Sequence, residues 1–322
     1  MTSRRCPSCN CNNTIKFGNE NGKQKYRCSS CKKVWRNSSR PTRTHCSVWK
    51  NFVKGKLSIA TLAKKYGRDQ RTIRRYLDLY LPPSIKHEPR RLVIVADVTY
   101  FGRSDGKLVV IDPNSTKYSL LYFCNLNRSE KTVDYASAIS ELINRGYRIL
   151  GAVIDGRRGV RQMMERRGIL VQHCQFHQLL TVTQCLTKKP KLPQNIELKR
   201  IAATLTSTTE AALGAKLHDW HQKYGDWLKE SYVDLESGRK RYVHDKTRRA
   251  FFSLKRNLPY LFTFQNPVFD VWGVKLPNTT NALDGRFGAY KRVVKSNPRC
   301  SKRLKTKIFF YLLSSEIGVK NN

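Results

Sequence analysis

The sequence predicts an α/β protein: a mixed-sheet domain with a helical insertion, preceded by two small basic modules. Three observations predict it. Short apolar segments between residues 92 and 171 alternate between strand-like and helix-like spacing. Four cysteines near the start fall into two Cys-x-x-Cys pairs. Lys and Arg number 62 against 23 Asp and Glu, a formal net charge of +39. At 322 residues the chain can form about two domains.

The charge bears on partners. A compact chain with that self-repulsion needs a polyanion, and nucleic acid is the common one because neutralised phosphates release counterions. A hydrophobic fraction of 39% and an aromatic fraction of 10% exclude disorder throughout. No run of 18 apolar residues and no apolar N-terminal stretch occurs, so neither a membrane span nor a signal peptide is expected. The ten cysteines are therefore expected as metal ligands or buried thiols in a reducing compartment.

Residues 1–45 read as a zinc ribbon. Cys6 and Cys9 are separated from Cys28 and Cys31 by 18 residues. Two residues between thiolates let one tight turn aim both sulfurs at one ion, and two such turns complete a tetrahedron of structural Zn²⁺. Nearby Lys and Arg favour thiolate over thiol. Phe17, Tyr26 and Trp35 are expected to form a small core that needs the metal. Cys11 is a spare that could compete with Cys9.

Residues 46–82 read as a helix-turn-helix. Ser58 can cap a helix whose Ile59, Leu62, Ala63 and Tyr66 share one face, and Gly67 ends it. Ile73, Tyr76, Leu77 and Tyr80 repeat the spacing. Gln70, Arg71, Arg74 and Arg75 then face outward, where they can reach base edges or phosphates, or simply form a solvated basic face. Residues 1–90 carry 22 Lys and Arg against four acids. Pro82 and Pro83 are expected to end the second helix.

Residues 83–322 read as the mixed-sheet domain. Strands are expected at 92–100, 108–111 and 118–124, a helix at 133–145 with Ala138, Ile139, Leu142 and Ile143 inward, a strand at 149–154, a basic helix at 159–167 and a strand from 169. That order is the RNase H-like order. Asp97 and Asp155 each come at the end of a buried strand, which delivers a carboxylate to a cleft. Two such acids side by side repel unless cations intervene, and Mg²⁺ favours an all-oxygen site. The plain alternative is an acid that starts a turn. Residues 178–270 read as a helical, basic insertion with Trp220 and Trp227 buried and a loop or hairpin at 238–249. Asn281 is expected to cap a helix with Asp284 at its third position.

The Asp97 strand, Asp155-Gly156, the Cys174-x-x-His177 segment, and Thr279-Thr280-Asn281 followed by Asp284 together resemble bacterial insertion-sequence transposases of the Mutator-like superfamily, in the variant group with an N-terminal zinc-binding segment. The resemblance covers nearly the whole chain. It implies a DDE/D catalytic set of Asp97, Asp155 and Asp284 that binds Mg²⁺ (or Mn²⁺); the third acid is usually Glu, and here it is the shorter Asp. It implies that Cys174 and His177 support the active site, and that Arg286, Lys291 and Arg292 (with Lys295) are candidates to clamp DNA, or a solvated cationic face. The implied activity is metal-dependent cleavage and strand transfer at terminal inverted repeats. The implied partners are double-stranded DNA, as element ends and target, and a homodimer or higher assembly, in the nucleoid-associated bacterial cytoplasm. The alternatives are a DNA-binding regulator with an inactive transposase-derived core and a structure-selective nuclease.

Overall fold

The computed structural model describes residues 6, 7, 9, 12–20, 23–36, 43–81, 85, 87–101, 105–115, 120–298 and 300–314. The chain divides into two compact units, residues 1–81 with 292–305, and residues 82–291 with 306–322. Cys11, Pro82 and Pro83 lie outside the described residues. Among the described residues no helix is long and apolar enough to cross a membrane.

The first unit opens with an antiparallel sheet of β1 (Thr14–Glu20), β2 (Lys23–Cys28) and β3 (Val34–Arg36), in that order. Tyr26 is buried here and lies 6.1 Å from the half-buried Trp35 ring. Phe17, expected in this core, is 42% exposed, and the Arg27 guanidinium covers its ring.

Three helices follow: α1 (Arg43–Val53), α2 (Ile59–Tyr66) and α3 (Gln70–Leu79). The sequence reading missed α1, although Val48, Trp49, Phe52 and Val53 are all buried and keep helical spacing. Trp49 stacks on Tyr80 at 4.3 Å. Ser58 caps α2 by accepting the Thr61 N–H at 3.0 Å, and Gly67 ends the helix in the left-handed region, φ 57°, which costs glycine little. Asp69 caps α3 by accepting from the Thr72 N–H.

The second unit is built on a five-stranded mixed sheet: β4 (Arg91–Tyr100), β5 (Gly106–Ile111), β6 (Leu120–Leu126), β7 (Arg148–Ile154) and β8 (Leu170–His173). The order is β6-β5-β4-β7-β8, with β4, β5 and β6 antiparallel and β4, β7 and β8 parallel. β4 is apolar at nearly every position because both of its faces are covered. On one face α4 (Thr132–Asn144) and α5 (Arg158–Glu165) set Tyr135, Ala138, Ile139, Leu142 and Met164 against Leu92, Ile94, Ala96 and Val110. Ile143, expected inward, is 46% exposed, and Tyr135, near the other end of the helix, is buried in this core. On the other face the Phe269 ring lies so close to Gly151 that a Cβ there would meet it at 2.9 Å.

Between β8 and the chain's return runs a subdomain with its own core. α6 (Gln175–Leu186), α7 (Pro193–Ala203), α8 (Glu210–Tyr224) and α9 (Asp245–Leu261) bury Val182, Leu198, Leu213, Trp220, Phe251 and Leu254 together. It is not wholly helical: β9 (Ser231–Val233) and β10 (Lys240–Tyr242) pair as a short antiparallel hairpin. Trp227, expected to be buried, is half-exposed and stacks on His244. The short α10 (Val268–Val271) leads to α11 (Asn281–Lys295) and α12 (Lys302–Ser314).

Replacing Gly151 by Val should destabilise the protein by about 1–3 kcal/mol through overpacking against Phe269, read as a lowered midpoint in urea or thermal unfolding.

Candidate active site and metal centre

The sheet brings two of the expected acids together by register. β4 and β7 last pair at Val95 and Val153, and Asp97 and Asp155 each stand two residues further along. Side chains alternate with period two, so both acids emerge on the same face at one end of neighbouring strands, which run about 4.8 Å apart. Asp97 does not end its strand, as the sequence suggested: it still pairs with Val109, and β4 continues to Tyr100 on that side alone. It is 8% exposed and accepts the Val98 N–H at 2.7 Å. Asp155 is half-buried, just past the end of β7, where Gly156 turns the chain at φ 101°.

Asp284 lies in the first turn of α11 and is half-buried. Asn281 is the first helical residue rather than the cap, so Asp284 sits one place further in than expected, and the Leu283 N–H donates to the Thr280 carbonyl. Burial pushes the Asp97 carboxyl up to about 7, and the charges of Asp155 and Asp284 push it the same way, against the Val98 N–H and His177. The three acids are thus electrostatic neighbours.

The Cys174-x-x-His177 segment starts α6, with Cys174 at the cap position. The buried Cys174 sulfur accepts the Thr280 N–H at 3.3 Å and lies 3.4 Å from Thr280 Oγ1. Its neighbour Gln175 donates its backbone N–H to the Asn278 carbonyl, and its Oε1 accepts from Asn278 Nδ2 at 2.8 Å. The two sequence motifs are therefore one structure: the residues before α11 are bonded to the residues that open α6. The Cys174 thiol raises His177 to about 9, with Asp97 and Asp155 adding to the rise and burial opposing it. That contact lacks hydrogen-bond geometry at Nδ1, which is buried without a partner.

One acid was missed. Glu130 precedes α4, and its buried side chain meets Arg157 at 2.6 Å and accepts from the Tyr135 hydroxyl at 2.6 Å. Arg157 Nε also lies 3.7 Å from Asp155 Oδ2, so the guanidinium bridges the two acids. Glu130 is in a loop, where no hydrophobic period singles out a residue.

The four N-terminal thiols form a separate centre. Their sulfurs lie within 4.8 Å of one another, with Cys6 and Cys31 3.5 Å apart and Cys9 and Cys28 3.6 Å apart. Tetrahedral zinc with bonds of about 2.3 Å needs sulfurs roughly 3.8 Å apart, so the donor set fits structural zinc. Cys28 is pushed down to about 6, first by the Cys31 backbone N–H, so backbone geometry rather than nearby Lys or Arg favours its thiolate. Among the described residues this is the group of thiol, imidazole or carboxylate side chains close enough to hold an ion as it stands.

Gln70, Arg71, Arg74 and Arg75 are all exposed along α3. A cleft in the same unit is lined by Arg71, Arg74, Arg75, Lys33 and Arg303 together with Asp69 and Asp78. Lys291, Arg292 and Lys295 are exposed on α11, whereas Arg286 is half-buried and donates to the Leu313 carbonyl.

No known family profile matches the chain, and no curated protein does. Among solved structures, a chain of the simian T-cell lymphotropic virus intasome in complex with PP2A regulatory subunit B56 gamma is 12% identical over 66% of this chain and 68% of that chain, with a TM-score of 0.21. A score that low carries no argument about this protein.

Two outcomes are expected. The purified chain should carry a single zinc, measured by atomic absorption, and Cys28→Ser or a strong chelator should release it and unfold the β1–β3 segment. Asp97→Asn should stabilise the protein in the absence of divalent ions. In the folded chain Asp97 ionises only near pH 7, against an ordinary value of 3.8. Below pH 3.8 both states are protonated and nothing is lost. As pH rises from 3.8 towards 7 only the unfolded chain sheds the proton, so native stability falls, and it levels off above 7. The variant escapes that fall, so its advantage in unfolding experiments should grow between pH 4 and 7 to as much as about 4 kcal/mol and vanish at lower pH.

Proposed function

We propose that the chain is a DNA transposase of the insertion-sequence type, with an RNase H-like catalytic domain and a zinc-ribbon and helix-turn-helix arm. One observation carries the reading: Asp97 and Asp155 stand at equivalent register on adjacent parallel strands, and Asp284 joins them closely enough to raise Asp97. A buried carboxylate held up by two others is stabilised most by a multivalent cation, and an all-oxygen donor set suits Mg²⁺ or Mn²⁺. Asp97, Asp155 and Asp284 would hold the metal. When bound, such ions polarise the attacking oxygen and stabilise the leaving one in phosphodiester hydrolysis and strand transfer.

The remaining residues bind and position. The charges of Asp97 and Asp155 favour protonation of His177, which in that form offsets part of the repulsion between them. Arg157 holds Asp155 at the edge of the cleft through its bridge to Glu130. The two capped helices α2 and α3 meet at Gly67, and α3 exposes Gln70, Arg71, Arg74 and Arg75 on the side away from Ile73 and Leu77. Such a helix suits a major groove, where Arg and Gln read guanine and adenine edges. The strand, helix and hairpin order of the sheet domain, and the Cys-x-x-His and Thr-Thr-Asn blocks that resemble insertion-sequence transposases, point the same way. Pairing of two element ends calls for a dimer or higher assembly on DNA.

The test is a cleavage and strand-transfer assay on the element's ends in Mg²⁺ or Mn²⁺. The native chain should cut, Asp284→Ala should lose at least about a hundredfold while still binding, and the Arg71, Arg74 and Arg75 triple alanine variant should bind duplex DNA more weakly with a shallower salt dependence. Binding without cutting by the native chain would replace this reading with that of a regulator built on an inactive core.

A further inference from the structure

Asp284 reaches the sheet only after a long excursion. The chain leaves β8 at Cys174, builds the helical subdomain, and returns through residues 262–280 before α11 begins. A carboxylate one methylene shorter than glutamate has little reach with which to correct a misplaced helix. Something must therefore set where the return segment docks.

Gln175 has the contacts for that task. It is fully buried, and its backbone N–H and both polar atoms of its side-chain amide bond to the far end of the excursion. Its backbone N–H donates to the Asn278 carbonyl at 2.9 Å, its Oε1 accepts from Asn278 Nδ2 at 2.8 Å, and its Nε2 donates to the Leu261 carbonyl at the end of α9 at 2.9 Å. Gln172, two residues before Cys174, donates to the same Leu261 carbonyl and accepts the Phe264 N–H. The paired bonds between residues 175 and 278 are planar and directional, so they fix orientation as well as distance. Asn278 stands three residues before α11, and Cys174 holds Thr280, the last residue before that helix.

We infer that the Gln175–Asn278 amide pair is a positioning device for the third carboxylate: it docks the return of the excursion so that Asp284 faces Asp97 and Asp155. This rests on the metal-binding reading above. Neither amide touches the reacting groups; both act through α11.

Mn²⁺ binding to the full chain, measured by calorimetry well below the melting temperature, tests it without relying on cleavage. The variants are Asn278→Ala, Asn278→Gln, Gln175→Asn, the exchange double variant Gln175→Asn with Asn278→Gln, and Asp284→Ala, each first shown to be folded by its circular dichroism and melting curve. The Asn278 single variants and Gln175→Asn should weaken Mn²⁺ about tenfold or more, as outer partners of metal sites do. The exchange variant restores the total length of the 175–278 link while leaving the Leu261 link short, and it should regain most of the affinity lost in Asn278→Gln. A merely structural role would lower the melting temperature and leave Mn²⁺ affinity in place, which overturns the inference. If Asp284→Ala weakens Mn²⁺ but the amide variants do not, the positioning role alone fails. If Asp284→Ala leaves Mn²⁺ binding unchanged, the metal-site reading fails and the inference with it.

Discussion

The structure turns on one constraint, the presence of a carboxylate inside the central strand of a sheet covered on both faces. Asp97 is buried, paired on its β5 side and unpaired on its β7 side, and it feels the charges of Asp155 and Asp284. Burial and like charge both oppose its ionisation. A fold assembled for stability alone would place an apolar residue there. The surroundings instead spread compensation around the cleft: the Val98 N–H, the His177 imidazole, whose protonated form the acids favour, and an arginine shared between Asp155 and Glu130. None of these neutralises Asp97 outright.

The two cores of the second unit divide the work. Around the sheet, Leu92, Ile94 and Ala96 meet α4 and α5, and this packing fixes the strands that carry Asp97 and Asp155. Beyond β8, Trp220 and Phe251 stack at 5.1 Å at the centre of a separate helical cluster. That cluster has no acid in the cleft. Its bearing on the cleft lies at its two ends, where Leu261, Gln172 and Gln175 share hydrogen bonds. A buried polar group that crosses so long a chain separation is costly unless fully bonded, and this glutamine pair is bonded at both ends.

The legible parts of the fold were those with a strong hydrophobic period. The strands at 92–100 and 149–154 and the helix at 133–145 appear within one or two residues of where periodicity puts them, because apolar side chains on both faces or on one stripe leave an unmistakable pattern. The four thiols were legible because ligand spacing is a local property. The helix Arg43–Val53 was overlooked beside the cysteine motif, although its buried Val48, Trp49, Phe52 and Val53 carried the signal. The hairpin at 231–242 is too short and too polar to impose a period. Phe17, Ile143 and Trp227 were expected inside because of their residue type, but burial depends on what covers a position, and nothing local specifies that. At the candidate site, all three aspartates were singled out by motif resemblance, and Asp155 also stands where a buried strand ends, whereas Asp97 lies inside its strand. The amide pair at 175 and 278 joins positions 103 apart and could not be read from local spacing.

The first unit has a consequence for how the protein is made. It comprises residues 1–81 together with 292–305, and within it the Ile59 N–H donates to Asn297 Oδ1 across 238 positions. Its parts therefore leave the ribosome more than 200 residues apart. At translation rates of about 5–20 residues per second, the early helices wait roughly ten to fifty seconds for the segment that completes them. During that interval the basic arm is exposed without its full packing, and a product cut short before residue 292 never acquires it. Completion of this unit is thus tied to translation of residues 292–305.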